Sequence, residues 1–215
     1  MKSFLVIGAG TFGHHLIREL SGQKCETMAV DRNAEALEDL LELVESAKIA
    51  DCTNPETLRS FDIPSFDVCF VCIGRNFQHS LEITSLLKEL GAKKVCSKAE
   101  ENIQAKFLKR IGADEVIYPE ADAARRLAIA ETSDSIFDWK PLRGEYGIYE
   151  ITPRREWIGK TARQLDFRNT YHLNILAAQK GDQVLPMPNA EYEFKRDEHL
   201  VVLGKEPDVR KVLEY

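Results

Sequence analysis

The sequence has no long hydrophobic run, no excess of basic residues, no cysteine framework and no pairing of histidines at metal-ligand spacing. Each absence closes a class of function. Charges interrupt every apolar stretch well short of the roughly 20 residues that a membrane helix requires. The apolar start, Phe4 to Ile7, ends at once in a glycine turn, unlike the core of a signal peptide. The chain therefore reads as soluble and cytoplasmic. A formal charge of −6, from 29 Lys and Arg against 35 Asp and Glu, argues against a nucleic-acid partner, since that needs a basic face to displace counterions from phosphates. Five cysteines cannot all pair with one another. Cys69 and Cys72 form a CxxC inside Val68–Ile73, which reads as a buried strand rather than the helix N-terminus where a reactive thiol sits. Residues three apart on a strand point to opposite faces, so both are read as small core hydrophobes.

What is present is a core-forming chain of 215 residues, 44% hydrophobic and 30% charged, long enough for one full domain and a small second one. Its first half alternates β-rich runs with amphipathic patterns. Strands are predicted at Phe4–Ile7, Glu26–Val30, Lys48–Ala50, Asp67–Ile73, Lys94–Ser97 and Glu115–Tyr118. Helices are predicted at Phe12–Gly22, Ala34–Val44, Pro55–Phe61, Gln78–Leu90 and Ile103–Ile111. Strict alternation with right-handed crossovers specifies a doubly wound parallel α/β sheet, Rossmann-like. A long helix is predicted over Ala121–Phe137 and a linker over Trp139–Gly144. An α+β module follows, with strands at Tyr146–Thr152, Leu173–Gln179, Val184–Leu185 and His199–Leu203, and helices at Thr161–Arg168 and Glu206–Leu213. The expected organisation is a nucleotide-binding domain over residues 1–120, a crossover helix and linker over 121–140, and a small domain over 141–215.

Gly8-Ala9-Gly10-Thr11-Phe12-Gly13 is a GxGxxG that follows a strand, opens a helix and precedes Asp31 at the end of the next strand. Gly8 makes the tight turn, Gly10 lets the backbone approach a diphosphate, and Gly13 permits close packing of helix on sheet. The helix N-terminus supplies N–H donors and partial positive charge. Asp31 accepts from ribose hydroxyls and disfavours a 2′-phosphate. This signature reads adenosine, ribose and diphosphate, the part shared by NAD, ADP, ATP and AMP; it does not read nicotinamide. A hydride-transferring enzyme also needs a proton donor beside the nicotinamide. His14, His15, His79, His172 and His199 read as helix-surface or satisfied residues, and no HxxxH, Cys/His metal spacing or GxSxG is present. The expectation is a binding protein and not an enzyme, with an NAD-dependent oxidoreductase as the alternative.

The sheet domain resembles the RCK-N (TrkA-N) domain and the small module the RCK-C (TrkA-C) domain of KtrA/TrkA-type regulators of potassium conductance. The resemblance rests on the glycine loop with Asp31, on Cys72-Ile73-Gly74-Arg75-Asn76-Phe77-Gln78, on Lys98-Ala99, on Ile111-Gly112-Ala113-Asp114 with Pro119-Glu120, and in the module on Tyr171–Leu176 and Asp197–Gly204. It implies a cytosolic gating subunit, peripheral on the inner face of the membrane through a potassium channel subunit of TrkH/KtrB type, with homodimers assembled into an octameric ring. A nucleotide-sensing module of another transporter would share the same residues. By this resemblance Gly8, Gly10, Thr11, Phe12, Gly13 and Asp31 hold diphosphate and ribose, with Arg32 nearby. Asp51 and Cys52 flank the adenine, Ile73 and Gly74 line base and sugar with Arg75 among the cofactor-binding residues, and Lys98 approaches the phosphates. Glu120 is matched to an acidic residue at which a divalent cation binds. Arg168, Asn174, Ile175 and Pro188 fall where some relatives bind cyclic di-AMP. Thr11 stands where such proteins often carry an arginine that reaches a terminal phosphate, leaving Arg32 and Arg75 as the cations at hand and the choice among ADP, ATP, NAD(H) and AMP open. The long helix, through Ala124, Leu127, Ala128 and Ile136, is the expected dimer-bridging element.

Overall fold

The computed structural model describes residues 1–74, 76–132, 136–142 and 144–213. The chain divides into two compact units, Met1–Asp122 and Ala123–Tyr215. The first carries six strands: β1 (Lys2–Ile7), β2 (Cys25–Asp31), β3 (Ser46–Ile49), β4 (Val68–Val71), β5 (Val95–Lys98) and β6 (Glu115–Ile117). They are all parallel in the order β3-β2-β1-β4-β5-β6, so the direction of winding reverses between β1 and β4. A crevice opens at such a reversal, beyond the carboxyl ends of the strands. Ile7 pairs with Val30 on one side and Val71 on the other, which sets the ends of β1, β2 and β4 level there.

The sheet is buried on both faces, as a parallel sheet must be. On one face Leu5, Ile7, Cys69 and Val71 pack with Leu58 of α2 (Pro55–Arg59) and with Ile83 and Leu87 of α3 (Phe77–Glu89). On the other, Val6, Ala29 and Cys72 pack with Ile17 of α1 (Thr11–Ser21) and with Leu37 and Leu40. Cys69 and Cys72 thus lie on opposite faces, and burial pushes each thiol up to about 12. They are inert core residues, as the strand reading requires. A further helix, α4 (Asn102–Arg110), packs Ala105 and Leu108 with Ala99 and Ala113.

The predicted helix over Ala34–Val44 is absent. Two short 3₁₀ turns, Ala34–Ala36 and Glu38–Leu40, take its place. The buried leucines of this segment, Leu37 and Leu40, are three residues apart, whereas Leu41 is 58% exposed. That spacing suits a 3₁₀ turn, whose side chains eclipse every third residue, and burial against the sheet overrides a helix-favouring composition. Glu45 then accepts the Thr27 N–H at 2.5 Å and fixes the entry to β3.

Asp67 ties the start of the sheet together. Its carboxylate accepts from the Ser3 N–H at 3.0 Å and from Lys93 Nζ at 3.1 Å. The Ser3 hydrogen bond, with Lys93 beside it, holds the Asp67 carboxyl below its ordinary value. A carboxyl depressed in the folded state stabilises the fold above its unfolded pKa, about 3.9, and that contribution fades as pH falls through the lower folded value. Asp67→Asn is therefore expected to lower the urea midpoint at neutral pH. Its difference from the wild type should close below about pH 3; a difference independent of pH would contradict the assignment.

Helix α5 (Pro119–Thr132) covers most of the predicted Ala121–Phe137 span, residues 133–135 of which lie outside the described residues, but Ile136 and Phe137 belong with part of the segment read as a linker to β7 (Ile136–Pro141), an edge strand. Ile136, expected on the dimer-facing stripe of the helix, belongs to β7, while Ala124, Leu127 and Ala128 lie exposed on α5. Pro141 disguised this strand, yet a proline at the end of an edge strand breaks no interior ladder. The second unit is an antiparallel sheet in the order β10-β9-β11-β8-β7, with β8 (Tyr146–Ile151), β9 (Asn174–Lys180), β10 (Gln183–Pro186) and β11 (His199–Lys205). Alternate residues of β8 and β11, among them Tyr149, Ile151, Leu200 and Val202, enter a core with Trp157, Phe167 and Phe194. The helix expected over Thr161–Arg168 is a bridge and turn followed by the short α6 (Phe167–Tyr171), since Asp166 adopts a left-handed conformation at φ 43°. The last element, α7 (Glu206–Leu213), lies as predicted and buries Val209 and Val212.

Candidate functional site

The winding reversal of the first unit holds a cleft of about 550 Å³, a volume typical of small-molecule and cofactor sites. Its floor is the turn from β1 into α1. Gly8 has φ +97°, a left-handed conformation, and a Cβ there would meet the Cys72 carbonyl at 3.2 Å. Gly8 N–H donates to Val30 O and Cys72 N–H to Ile7 O, both at 2.8 Å, so the ladder runs on into the loop. At Gly13 a Cβ would sit 1.9 Å from Gly8 O. Gly13 is the buried packing glycine of the motif and does not line the cleft. At Gly10 nothing lies within 4 Å of a Cβ position, and Gly10, Thr11 and Phe12 all border the cleft. Gly10 caps α1 without a side chain, and the first turn carries no acid. The opening N–H groups of the helix and its partial positive charge therefore face open space, the geometry that receives a phosphate.

Asp31, at the end of β2, does more than the sequence anticipated. Its Oδ2 accepts the Ala9 N–H of the glycine loop at 2.7 Å and its Oδ1 the Asn33 N–H at 2.8 Å. Each carboxylate oxygen can accept again, so Asp31 braces the loop and still presents acceptors to the cleft, where Arg32 also lies. Beyond β3, Asp51 accepts from Thr53 N at 2.9 Å and Thr53 Oγ1 at 2.7 Å, and these bonds draw its carboxyl down. Cys52 borders the same end, but only 3% of it is exposed and its thiol is pushed up to about 12 by burial, so it offers an apolar surface. Ile73 and Gly74, after β4, form the opposite wall. Arg75 lies outside the described residues.

Lys98, the last residue of β5, is buried and donates to Glu120 Oε1 at 2.6 Å; Glu100 Oε1 stands 3.8 Å from the same ammonium. This hydrogen bond holds the Glu120 carboxyl below its ordinary value. Glu120, expected to meet a cation, is thus the counter-ion of a lysine, and among the described residues no three His, Cys, Asp or Glu side chains gather as a cation site. In the second unit Asn174 and Ile175 open β9, and Pro188 lies just past β10, after Met187, whose N–H donates to Leu176 O at 2.8 Å. These three share one end of a hairpin; Arg168 is exposed on α6, and Ile175 packs on the core.

The structure adds Asn33, Ala36, Thr53, Asn76, His79 and Glu100 to the lining. His79, read from sequence as a helix-surface residue, borders the cleft from the first turn of α3, which Asn76 caps by accepting the His79 N–H at 3.2 Å. Their signal lay in position, a few residues past the carboxyl end of a parallel strand. The remaining histidines fit their bland reading where the structure gives a partner: His14 meets Asp39 and His199 meets Glu150, each at 2.8 Å.

Comparison with known proteins agrees with this arrangement. Residues 4–119 match the TrkA-N domain and residues 147–215 the TrkA-C domain. The chain is 33% identical over 210 residues to Ktr system potassium uptake protein C of Bacillus subtilis, covering 98% of this chain and 95% of the relative. It is 32% identical to Ktr system potassium uptake protein A of the same organism, with the same coverage. Among solved structures, the GsuK channel bound to NAD superposes with a TM-score of 0.68 at 17% identity, covering 96% of this chain and 38% of that one. GsuK bound to ADP superposes with a TM-score of 0.54 at 18% identity, covering 62% of this chain and 36% of that one. The chain spans less than half the length of those channel chains, and at such identity they speak for the fold. With a braced glycine loop in the first unit and both domains of the pair matched in order along one chain, the protein belongs to the RCK family, as a KtrA/TrkA-type protein of TrkA-N and TrkA-C domains.

Proposed function

We propose that this chain is the nucleotide-binding regulatory subunit of a potassium uptake system, and that an adenine nucleotide seated in the cleft controls ion transport allosterically. The observation that carries this reading is the open space at Gly10, faced by the α1 N-terminus and flanked by Asp31. A diphosphate takes the helix end, a ribose takes the remaining acceptors of Asp31, and the base lies toward Asp51 and Ile73. The NAD- and ADP-bound GsuK structures and the Ktr relatives support both the ligand class and the setting. The residues assigned bind and orient; none is given a bond to break, and the reading contains no catalytic step. Its partner is a membrane potassium channel subunit, which the chain meets from the cytoplasmic side as homodimers assembled into a ring. No helix among the described residues is long and apolar enough to cross a membrane, which suits a peripheral subunit. A divalent cation bridging ligand phosphate to Glu120 would have to draw Glu120 from Lys98. Cyclic di-AMP at Asn174, Ile175 and Pro188, with Arg168, is the corresponding proposal for the second unit.

The test is a thermal-shift and calorimetric panel of AMP, ADP, ATP, NAD, NADH and cyclic di-AMP on the full chain. A ligand at a hundred times its Kd stabilises the folded state by about 2.7 kcal/mol, a readily measured rise in Tm. Asp31→Ala is expected to weaken AMP, ADP, ATP, NAD and NADH at least tenfold and to leave cyclic di-AMP, assigned to the second unit, unaffected. It should also cost about 1–2 kcal/mol of stability, because the Ala9 and Asn33 N–H groups lose their acceptor. A flat panel, or affinities indifferent to Asp31, would refute nucleotide sensing. Turnover of a nicotinamide cofactor with a carbonyl substrate would replace the reading by an oxidoreductase.

A further inference from the structure

Lys98 and Glu120 are unequal partners. The lysine side chain is 9% exposed and the glutamate 65%. The lysine is held by its strand: Lys98 pairs with Ile117 of β6, and the Ala99 N–H donates to Ile117 O at 2.9 Å. Its ammonium lies 3.3 Å from where a Gly74 Cβ would stand, against the cleft wall. Such a buried cation cannot be left without an anion. Glu120, by contrast, is in the first turn of α5, where a carboxylate released into water remains favoured by the helix N-terminus. If one member of the pair moves, it is Glu120.

The surroundings give that exchange a direction. Among the described lining residues four carboxylates, Asp31, Asp51, Glu100 and Glu120, face two permanent cations, Arg32 and Lys98. Among the described residues the lining thus carries more carboxylates than cations, although the ligand it suits is an anion. A phosphate reaching Lys98 meets an ammonium already claimed by Glu120, with Glu100 beside it. Each further charge on the ligand meets repulsion that the α1 N-terminus offsets only near its own end.

We propose that the Lys98–Glu120 ion pair is a charge gate on the cleft, so that without a divalent cation the site favours adenine ligands of low phosphate charge, dinucleotides above triphosphates. This inference rests on the nucleotide-binding reading and names Glu120 as its specificity-determining residue. Glu120 acts through Lys98 and is a positioning residue. A merely structural role would alter all ligands alike; a gate alters them according to their charge.

The experiment is calorimetry on the full chain in EDTA with adenosine, AMP, ADP, ATP and NAD, for the wild type, Glu120→Gln, Lys98→Gln and the double variant. Glu120→Gln keeps the shape of an exposed side chain, and its melting curve verifies folding. It is expected to tighten ATP by about three- to tenfold and NAD by about twofold or less, leaving adenosine unchanged. Lys98→Gln should weaken every phosphate ligand, and in that background the gain from Glu120→Gln should shrink at least threefold, because no ammonium remains to contest. Should Lys98→Gln fail to fold, the Glu120→Gln charge series decides alone. A flat series, or weaker ATP binding by Glu120→Gln, overturns the gate while leaving the nucleotide reading intact. Absence of binding by any adenine ligand to the wild type overturns both.

Discussion

Gly13→Ala is expected to destabilise the first unit by about 3 kcal/mol, out of proportion to the addition of one methyl group. The new Cβ would lie 1.9 Å from Gly8 O and 3.0 Å from Gly8 C, with Cys72 Cβ at 3.2 Å. The two closest contacts are backbone, so no side chain can swing aside. Nor can the loop retreat cheaply, because Gly8 N–H is bonded to Val30 O at 2.8 Å and the Ala9 N–H to Asp31 at 2.7 Å. Helix α1 would have to lift from the sheet, opening the packing of Ile17 against Val6 and Ala29. Urea unfolding followed by a probe within the first unit measures the effect, and Gly22→Ala serves as control. Gly22 is already in the right-handed helical region, with only Glu19 O near its Cβ position, at 3.7 Å. A Gly13→Ala protein within about 0.5 kcal/mol of the wild type would show that the close approach of helix and loop is not required.

Gly10→Val has the opposite profile, and the contrast separates folding from binding within one hexapeptide. Gly10 has φ −66° and ψ −177°, extended backbone open to any residue, and apart from its immediate chain neighbours nothing lies within 4 Å of the added carbon. The fold should lose at most about 1 kcal/mol, from the poorer N-cap. A ligand phosphate on the helix end would occupy the same volume as the valine. We therefore expect at least about a 100-fold loss of adenine-nucleotide affinity, equivalent to about 2.7 kcal/mol. Calorimetry on a variant whose melting curve matches the wild type is the measurement. Retained affinity would mean that the ligand does not approach the α1 N-terminus, and the proposed function would fall with it.

The parallel sheet was legible because its residues answer to two demands at once. Leu5, Val6 and Ile7 are apolar because both faces of the sheet are covered, and Gly8 and Gly13 are held to glycine by a left-handed turn and a close backbone approach, so pattern and motif reinforce each other. Legibility failed where one demand masked another. Leu37, Leu40, Leu41 and Val44 stand at helical spacing, yet the segment forms two 3₁₀ turns that bury Leu37 between them and Leu40 in the second, and only the sheet beneath decides between the two. Pro141 marked a boundary that the strand ignores by standing at the end of an edge. The glycine-loop end of the cleft was readable from the motif, but Asn76, His79 and Glu100 were not, because they line it through their place after a strand end rather than through residue pattern. The Lys98–Glu120 pair joins residues that the sequence named separately, and their juxtaposition required the register of β5 on β6 to be seen.

Asp31 gripping the Ala9 amide has a consequence for affinity. In many phosphate sites a floppy segment must be frozen by the incoming molecule, and part of the attraction is lost to that ordering. Here the Ala9 amide is already held by Asp31 at 2.7 Å, so an anion bound as proposed would have less of the loop to order on arrival. More of its attraction would then remain for the exchange proposed at the exposed carboxylate at the head of α5.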